Sequence, residues 1–327
     1  MTEVPAAGAA QAGVVVQDLV KRFGQTTALA GISFEVRRGE LFGFIGPDGA
    51  GKTTLFRILA TLLLPDAGRA LVLGRDVVKA LWELRDRVGY MPGRFSLYGD
   101  LSVEENLRFF ASVFGTTVER ERDQIAPIYH QLEPFKDRRA AALSGGMKQK
   151  LALCCALVHR PEILLLDERT TGVDAVSRRE FWDLLGRFKS AGLTIVVSTP
   201  YMDEADRCDR VALIQGGRLL AVDTPRAIAQ SFDRPLLAIR AADRYRTLVA
   251  VRQYANTGTI YPFGAVLHYT DARRDAPVSQ VTSDLREYLR RSGFGDLEVG
   301  ETPPTVEDSF MARMGAPAGA AGEAGHA

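Results

Sequence analysis

The 327-residue sequence contains no long hydrophobic run. Its longest apolar stretches, residues 58–64 and 151–158, fall well short of the ~20 residues that cross a bilayer. Cysteine is scarce. Cys154, Cys155 and Cys208 lack the paired spacing of a zinc site or a disulfide framework and are expected to be reduced, structural thiols. An excess of one charge is also missing, with 41 Lys and Arg against 40 Asp and Glu. That balance argues against a protein whose main partner is a nucleic-acid backbone, since such domains usually carry a marked basic surplus. No charged, then apolar, then small-residue signal opens the sequence, so a cytoplasmic location is expected. The Ala/Gly-rich ends, residues 1–13 and 315–327, hold too little to bury and are expected to be disordered tails.

What remains is an ordinary globular composition, 46% hydrophobic, long enough for one large domain with an appendage. Short apolar runs at residues 14–19, 32–36 and 41–45, broken by Gly24, Gly31 and Gly39, predict a small antiparallel or mixed β region. Runs at 70–73, 87–90, 163–166, 194–198 and 210–215, separated by helical patterns, predict a largely parallel sheet covered by helices. Between residues 103 and 135, Leu107, Phe110, Phe114, Ile125, Ile128 and Leu132 keep helical spacing and predict an inserted helical subdomain, about residues 101–160. Beyond residue 232 the pattern turns mixed, with strands expected at 236–240, 258–262 and 265–269 and a charged amphipathic helix at 278–292. The fold class is therefore α/β, a main domain over residues 14–231 followed by a small α+β appendage over 232–314.

Three segments carry chemistry. Gly46-Pro47-Asp48-Gly49-Ala50-Gly51-Lys52-Thr53 fits the phosphate-cradling pattern G-x-x-x-x-G-K-[ST] in full. Its glycines accept backbone angles that a Cβ forbids, so successive N–H groups turn onto phosphate oxygens. Lys52 supplies a point charge to the terminal phosphates and Thr53 a hydroxyl to Mg²⁺. Thr54 with residues 55–59 starts a helix whose N-terminal dipole faces the same anion. An apolar run, residues 40–45, precedes the loop, giving the strand, loop, helix order that the pattern requires. Ile163-Leu164-Leu165-Leu166-Asp167-Glu168 ends a strand in two carboxylates, Asp167 placed to hold Mg²⁺ through water and Glu168 to polarise an attacking water. Leu143-Ser144-Gly145-Gly146-Met147-Lys148-Gln149 opens another helix, with Ser144 and the N–H groups of Gly145 and Gly146 making a second anion-receptive start.

In this order the three segments resemble the ATP-binding-cassette (ABC) ATPases, over about residues 14–228. The resemblance implies a P-loop NTPase of ABC type, a mixed sheet with a β subdomain and a helical insertion, with ATP and Mg²⁺ as cofactors and Glu168 as the catalytic carboxylate. Phe23 stands where that family stacks a ring on adenine, and Thr171-Gly172-Val173-Asp174 resembles the loop that meets the opposite subunit. Two cassettes of that family pair head to tail, so Ser144, Gly145, Gly146 and Gln149 are expected to serve the partner's ATP. Gly89-Tyr90-Met91-Pro92, Arg94-Phe95-Ser96-Leu97-Tyr98, Ser198-Thr199, Tyr201-Met202-Asp203-Glu204-Ala205 and Thr305-Val306-Glu307-Asp308-Ser309-Phe310 look most like cassettes of multidrug-type exporters with separate permeases. The implied partners are integral-membrane permeases, at the cytoplasmic face of the cell membrane, and a second cassette. A heterodimer is favoured over a homodimer, and no nucleic acid is expected.

Three positions depart from the family's pattern. Gly93 stands where a glutamine usually reaches Mg²⁺ and the attacking water, and Pro200 where a histidine usually bonds the γ-phosphate; neither brings the missing group. Arg169 replaces a proline after Glu168; it either pairs with Glu168 and lowers its basicity or turns to solvent, as long charged side chains usually do. A slowed hydrolytic site is therefore expected. Two other functions compete with the exporter subunit: a soluble ABC protein acting on ribosomes or DNA, and a subunit that keeps ATP as a clamp without useful hydrolysis. The appendage reads equally as a packing extension, a regulatory domain or a dimer-stabilising one.

Overall fold

The computed structural model describes residues 12–93, 96–168 and 173–314. The chain forms two compact units, one running through Pro225 and resuming at Arg313, the other spanning Arg226–Ala312. In the first, β1 (Ala12–Phe23), β2 (Thr26–Arg37), β4 (Ala67–Val72) and β5 (Arg75–Asp76) make a four-stranded antiparallel sheet in the order β2-β1-β4-β5. A six-stranded sheet is built from β3 (Leu41–Ile45), β6 (Val88–Met91), β7 (Ile163–Asp167), β8 (Thr194–Thr199), β9 (Arg210–Gln215) and β10 (Arg218–Asp223), in the order β10-β9-β3-β8-β7-β6. All its neighbours are parallel except the β9–β10 hairpin.

The sequence assigns two strands to the wrong sheet. β3, expected beside β1 and β2, lies in the parallel sheet between β8 and β9, and all five of its residues are buried. β4, expected in the parallel sheet, completes the antiparallel one, and its first three residues are exposed. Burial on both faces is what a parallel sheet between helix layers imposes, and an antiparallel sheet tolerates one wet face. A third correction concerns the expected tail over residues 1–13. Ala12 opens β1, pairs with Arg37 and is buried, so the ladder captures Ala12 and Gly13; residues 1–11 and 315–327 lie outside those described.

An aromatic cluster joins the two sheets. Phe34 of β2 meets Phe44 of β3 edge-on at 4.8 Å, Phe42 tilts against Phe44 at 5.3 Å, and Phe44 meets Phe56 edge-on at 6.0 Å. Phe56 belongs to the helix Lys52–Leu59, so the rings fix the segment after the phosphate loop to both sheets. Beyond their buried area, such ring pairs contribute about 0.5–1.5 kcal/mol each. On the opposite face of β3, Gly43 leaves room for Cys208: a Cβ there would lie 2.8 Å from its sulfur. All three cysteines are free and buried, as structural thiols should be.

The helical insertion contains Val103–Val113, Arg122–Leu132 and Gly145–Leu157. Ser102 and Glu105 start it with a reciprocal capping box, two otherwise orphaned N–H groups satisfied at once. Buried Asn106 then ties the entering loop down, accepting from Tyr98 N–H and donating to three carbonyls, those of Tyr98, Leu101 and Ser102.

The second unit contains β11 (Leu237–Ala241), the helix Arg244–Arg252, β12 (Thr257–Phe263), β13 (Val266–Asp271), the helix Val278–Arg291 and β14 (Leu297–Glu301). Its sheet is antiparallel in the order β12-β13-β11-β14, the split β-α-β topology of ferredoxin-like domains. β14 and the helix Arg244–Arg252 escape the sequence reading: Leu-Glu-Val-Gly-Glu carries only two apolar residues, and that helix is too rich in arginine to show an apolar stripe.

Asp308 anchors the helix Val306–Met314 beneath β12 and β13. It is fully buried, and its carboxylate takes hydrogen bonds from Thr305 N–H (2.7 Å) and Oγ1 (2.6 Å), from Tyr261, and from the His268 ring (2.6 Å). Burial raises its pKa, but the bonds from His268, Thr305 and Tyr261 outweigh that and hold it down at about 2. A carboxylate depressed in the folded state stabilises above its unfolded pKa near 4, and that stability is lost as pH falls towards 2. Asp308→Asn should cost about 2 kcal/mol at pH 7 and flatten the loss of stability between pH 5 and pH 2. Urea unfolding of both proteins across that range checks it; parallel curves would refute the role.

Candidate nucleotide site

The loop between β3 and the helix Lys52–Leu59 is shaped by close backbone approach. A Cβ at Gly46 would overlap the Ile214 carbonyl, and one at Gly51, whose φ is 105°, would overlap the Ala28 carbonyl. Gly46 N–H donates to Thr199 O (3.3 Å) and Ala50 O accepts from Gly217 N–H (3.0 Å), so β8 and the β9–β10 turn brace the loop from behind. Pro47, Asp48 and Gly49 form its exposed tip, with Gly49 at φ 78°.

Lys52 is 2% exposed. Its ammonium donates to the carbonyls of Gly46 (2.8 Å) and Pro47 (2.9 Å) and pairs with Glu168 at 3.0 Å. Three acceptors for three N–H donors is full satisfaction, the condition for burying that charge. At the end of β7, Asp167 is 1% exposed and receives two hydroxyl donors on one oxygen, Ser198 at 2.7 Å and Thr53 at 3.2 Å. Burial raises its pKa above the ordinary carboxylate value, and those bonds offset only part of the rise. Ser198 Oγ also accepts from Glu168 N–H at 3.0 Å. Glu168 takes φ 50°, a left-handed angle that costs a non-glycine residue about 1–2 kcal/mol. That turn aims its carboxylate back at Lys52.

Gly46, Lys52, Thr53, Asp167 and Glu168 are thus assembled in one place from two stretches of the chain, the loop with its helix and the end of β7. Ser198 completes the cluster, and sequence reasoning assigned it no role in the site; its signal was a strand ending in Ser-Thr before Pro200. Phe23 lies at the end of β1, 51% exposed, with the Lys21 ammonium 5.5 Å from its ring centre. Gly93 sits against β7, where a Cβ would lie 3.2 Å from the Asp167 carbonyl oxygen. Pro200 follows Thr199, whose carbonyl holds Gly46 N–H, so both departures border the same cluster.

Ser144, Gly145, Gly146 and Gln149 stand on the helical insertion. Ser144 caps the helix Gly145–Leu157 by accepting from Met147 N–H at 3.3 Å, Gly145 borders open space, and Gln149 is buried. Gly146 packs on the helix Ala175–Ser190: a Cβ there would lie 2.5 Å from Ser177 Oγ. Asp174 caps that second helix, accepting from Val176 N–H (3.1 Å) and Ser177 N–H (3.0 Å). Arg169, Thr171 and Gly172, like Arg94 and Phe95, lie outside the described residues.

A family model described as ABC transporter matches residues 29–171. The Nod factor export ATP-binding protein I of Rhizobium sp. (strain N33) is 35% identical over 300 residues, 90% of this chain and 94% of that protein. The chain belongs to the ABC transporter family. This cassette is also 44% identical over 214 residues to the probable multidrug ABC transporter ATP-binding protein YbhF of Escherichia coli (strain K12), covering 65% of this chain and 37% of that protein. It therefore spans well under half of YbhF. Among solved structures, cbiO1 from Clostridium perfringens, part of the ABC transporter complex cbiONQ, superposes with a TM-score of 0.60 at 27% identity, over 68% of this chain and 92% of that one.

The glycine cradle and the buried ammonium offer N–H donors and positive charge that suit the phosphates of ATP, the nucleotide of the cassette family, and the Thr53–Asp167 pair offers oxygens that suit a divalent cation. Ser198→Ala removes the shorter of the two hydroxyl bonds that lower the Asp167 pKa. Protonation of Asp167 should then shift to higher pH, and magnesium-dependent nucleotide binding should fade earlier as pH falls. Titration with a fluorescent ATP analogue across pH 4–8 tests this; an unmoved midpoint would count against it.

Proposed function

We propose that this cassette binds and hydrolyses ATP to power a membrane exporter of the multidrug type, at a site of its own that is slow. The carrying observation is the cluster of Lys52, Thr53, Asp167 and Glu168, bordered by Gly93 and Pro200 where donors are missing. Thr53 and, through water, Asp167 hold Mg²⁺ together with the phosphates. Lys52 neutralises charge on the terminal phosphates and Glu168 orients and polarises the attacking water. Phe23 stacks on the adenine.

One preorganised donor removed from developing transition-state charge typically costs about 10²–10³ in rate, and this site lacks two. The signature segment, residues 143–149, keeps the family's residues, so we assign the cassette to a head-to-tail pair, favouring a different cassette as the partner. Ser144, Gly145, Gly146 and Gln149 then complete the partner's faster site, and the Asp174 loop lies at the junction. In this reading permease subunits supply the membrane spans and the cassette sits on their cytoplasmic face; no helix among the described residues is long and apolar enough to cross a membrane. A groove lined by Leu62, Trp82, Tyr90, Phe110, Val113 and Phe114 supports that docking, with Trp82 73% exposed. The name of the Nod factor export protein supports export as the direction, and that of YbhF supports the multidrug type.

The chain alone, with Mg²⁺ and ATP, should bind nucleotide but turn over below about 1 s⁻¹. Gly93→Gln with Pro200→His should raise that rate at least tenfold once the glutamine is accommodated, which needs a shift of a few tenths of an ångström at the Asp167 carbonyl. In the assembled complex, Gly145→Asp places a carboxylate in open space and should abolish vanadate trapping at the partner's site, whereas Gly146→Asp would first collide with Ser177. Fast turnover by the unpaired wild-type chain would sink the slow-site reading. Undiminished trapping in Gly145→Asp would sink the shared site.

A further inference from the structure

The sheet of the second unit has two edges of different chemistry. β12 carries Pro262 within the strand, and a residue without an N–H interrupts any further ladder. β14 carries no proline. Its outward groups follow from register: Thr302 N–H donates to Leu236 O at 3.0 Å, so even-numbered positions bond inward to β11. The N–H and C=O groups of Leu297, Val299 and Glu301 therefore face away from the sheet. The Arg286 guanidinium agrees, since it reaches the Val299 carbonyl from outside. Arg286 and its neighbours Thr282, Ser283, Glu287 and Arg290 form one wall of a groove whose other wall is Val299, Gly300 and Glu301.

We propose that this edge is a self-association surface, on which β14 pairs antiparallel with β14 of a second copy about a two-fold axis at Val299. A two-fold interface brings a patch against itself, so it must carry both signs of charge; this one holds Arg286 and Arg290 with Glu287 and Glu301. The axis sets Val299 opposite its own copy and Leu297 opposite Glu301, giving about six new backbone hydrogen bonds. Glu298 falls opposite Gly300, whose missing side chain keeps like charges from being directly opposed. A short turn joins the helix Val278–Arg291 to β14, so Arg290 lies at the Leu297 end of the strand and comes beside Glu301 of the second copy. Arg286 leaves the Val299 carbonyl and turns to Glu287 of the second copy.

Sedimentation equilibrium of the full chain, in nucleotide-free buffer with EDTA so that ATP-driven cassette pairing does not contribute, tests the surface. The wild type should form a reversible dimer at micromolar concentration. Val299→Pro, which deletes the outward N–H on the axis, should be monomeric with unchanged nucleotide binding. Because that residue is buried, the surface substitutions Arg290→Glu and Glu301→Arg provide the second arm. Each alone should raise the dissociation constant at least about tenfold, and the two together in one chain should restore it to within about threefold of wild type. A monomeric wild type, a dimer indifferent to the single reversals, or a double reversal that stays weak would overturn the proposal.

Discussion

A carboxylate buried at the end of a central strand governs the nucleotide face of the first unit. Asp167 is held out of water by two hydroxyls on one of its oxygens, Ser198 from β8 and Thr53 from the helix after the phosphate loop. Its geometry therefore fixes three segments at once, and the same serine accepts from Glu168 N–H, which sets the left-handed turn that aims Glu168 at Lys52. The phosphate loop closes over this arrangement only because Gly46 and Gly51 let it touch the Ile214 and Ala28 carbonyls. Each of these contacts presupposes the others, so the cluster has little freedom to deform piecemeal.

Two of the three departures from the family's pattern occupy the flanks of that cluster. Gly93 follows β6 and Pro200 follows β8, the strands on either side of β7. Neither substitution disturbs what holds Asp167 or Lys52, since the hydroxyls and carbonyls involved come from elsewhere. The groups that hold Lys52 and Asp167 are thus separate from the two departing positions.

The second unit solves a similar problem with different groups. Asp308 is as buried as Asp167, but it gathers donors from Thr305, Tyr261 and His268, enough to reverse the sign of its pKa displacement. Burial alone does not set the protonation of a carboxylate; the number of donors that reach it does. Asp167 has fewer donors, and its pKa stays raised.

The sequence by itself determined the phosphate loop, the strand ending in Asp167 and Glu168, and the signature helix start, because each is a local pattern whose residues act through their own backbone. It also placed the expected strands close to those observed, since β-branched and leucine-rich runs report burial directly. Sheet membership escaped it: β3 and β4 changed places because an apolar run does not say which neighbour covers it. The helix Arg244–Arg252 and β14 escaped for lack of an apolar pattern, and Ser198 because its importance lies in a bond to a residue 31 positions away. Only the tertiary structure brought β7, β8 and the loop together, and only there do a serine hydroxyl, a glycine without a Cβ and a strand edge acquire their meaning.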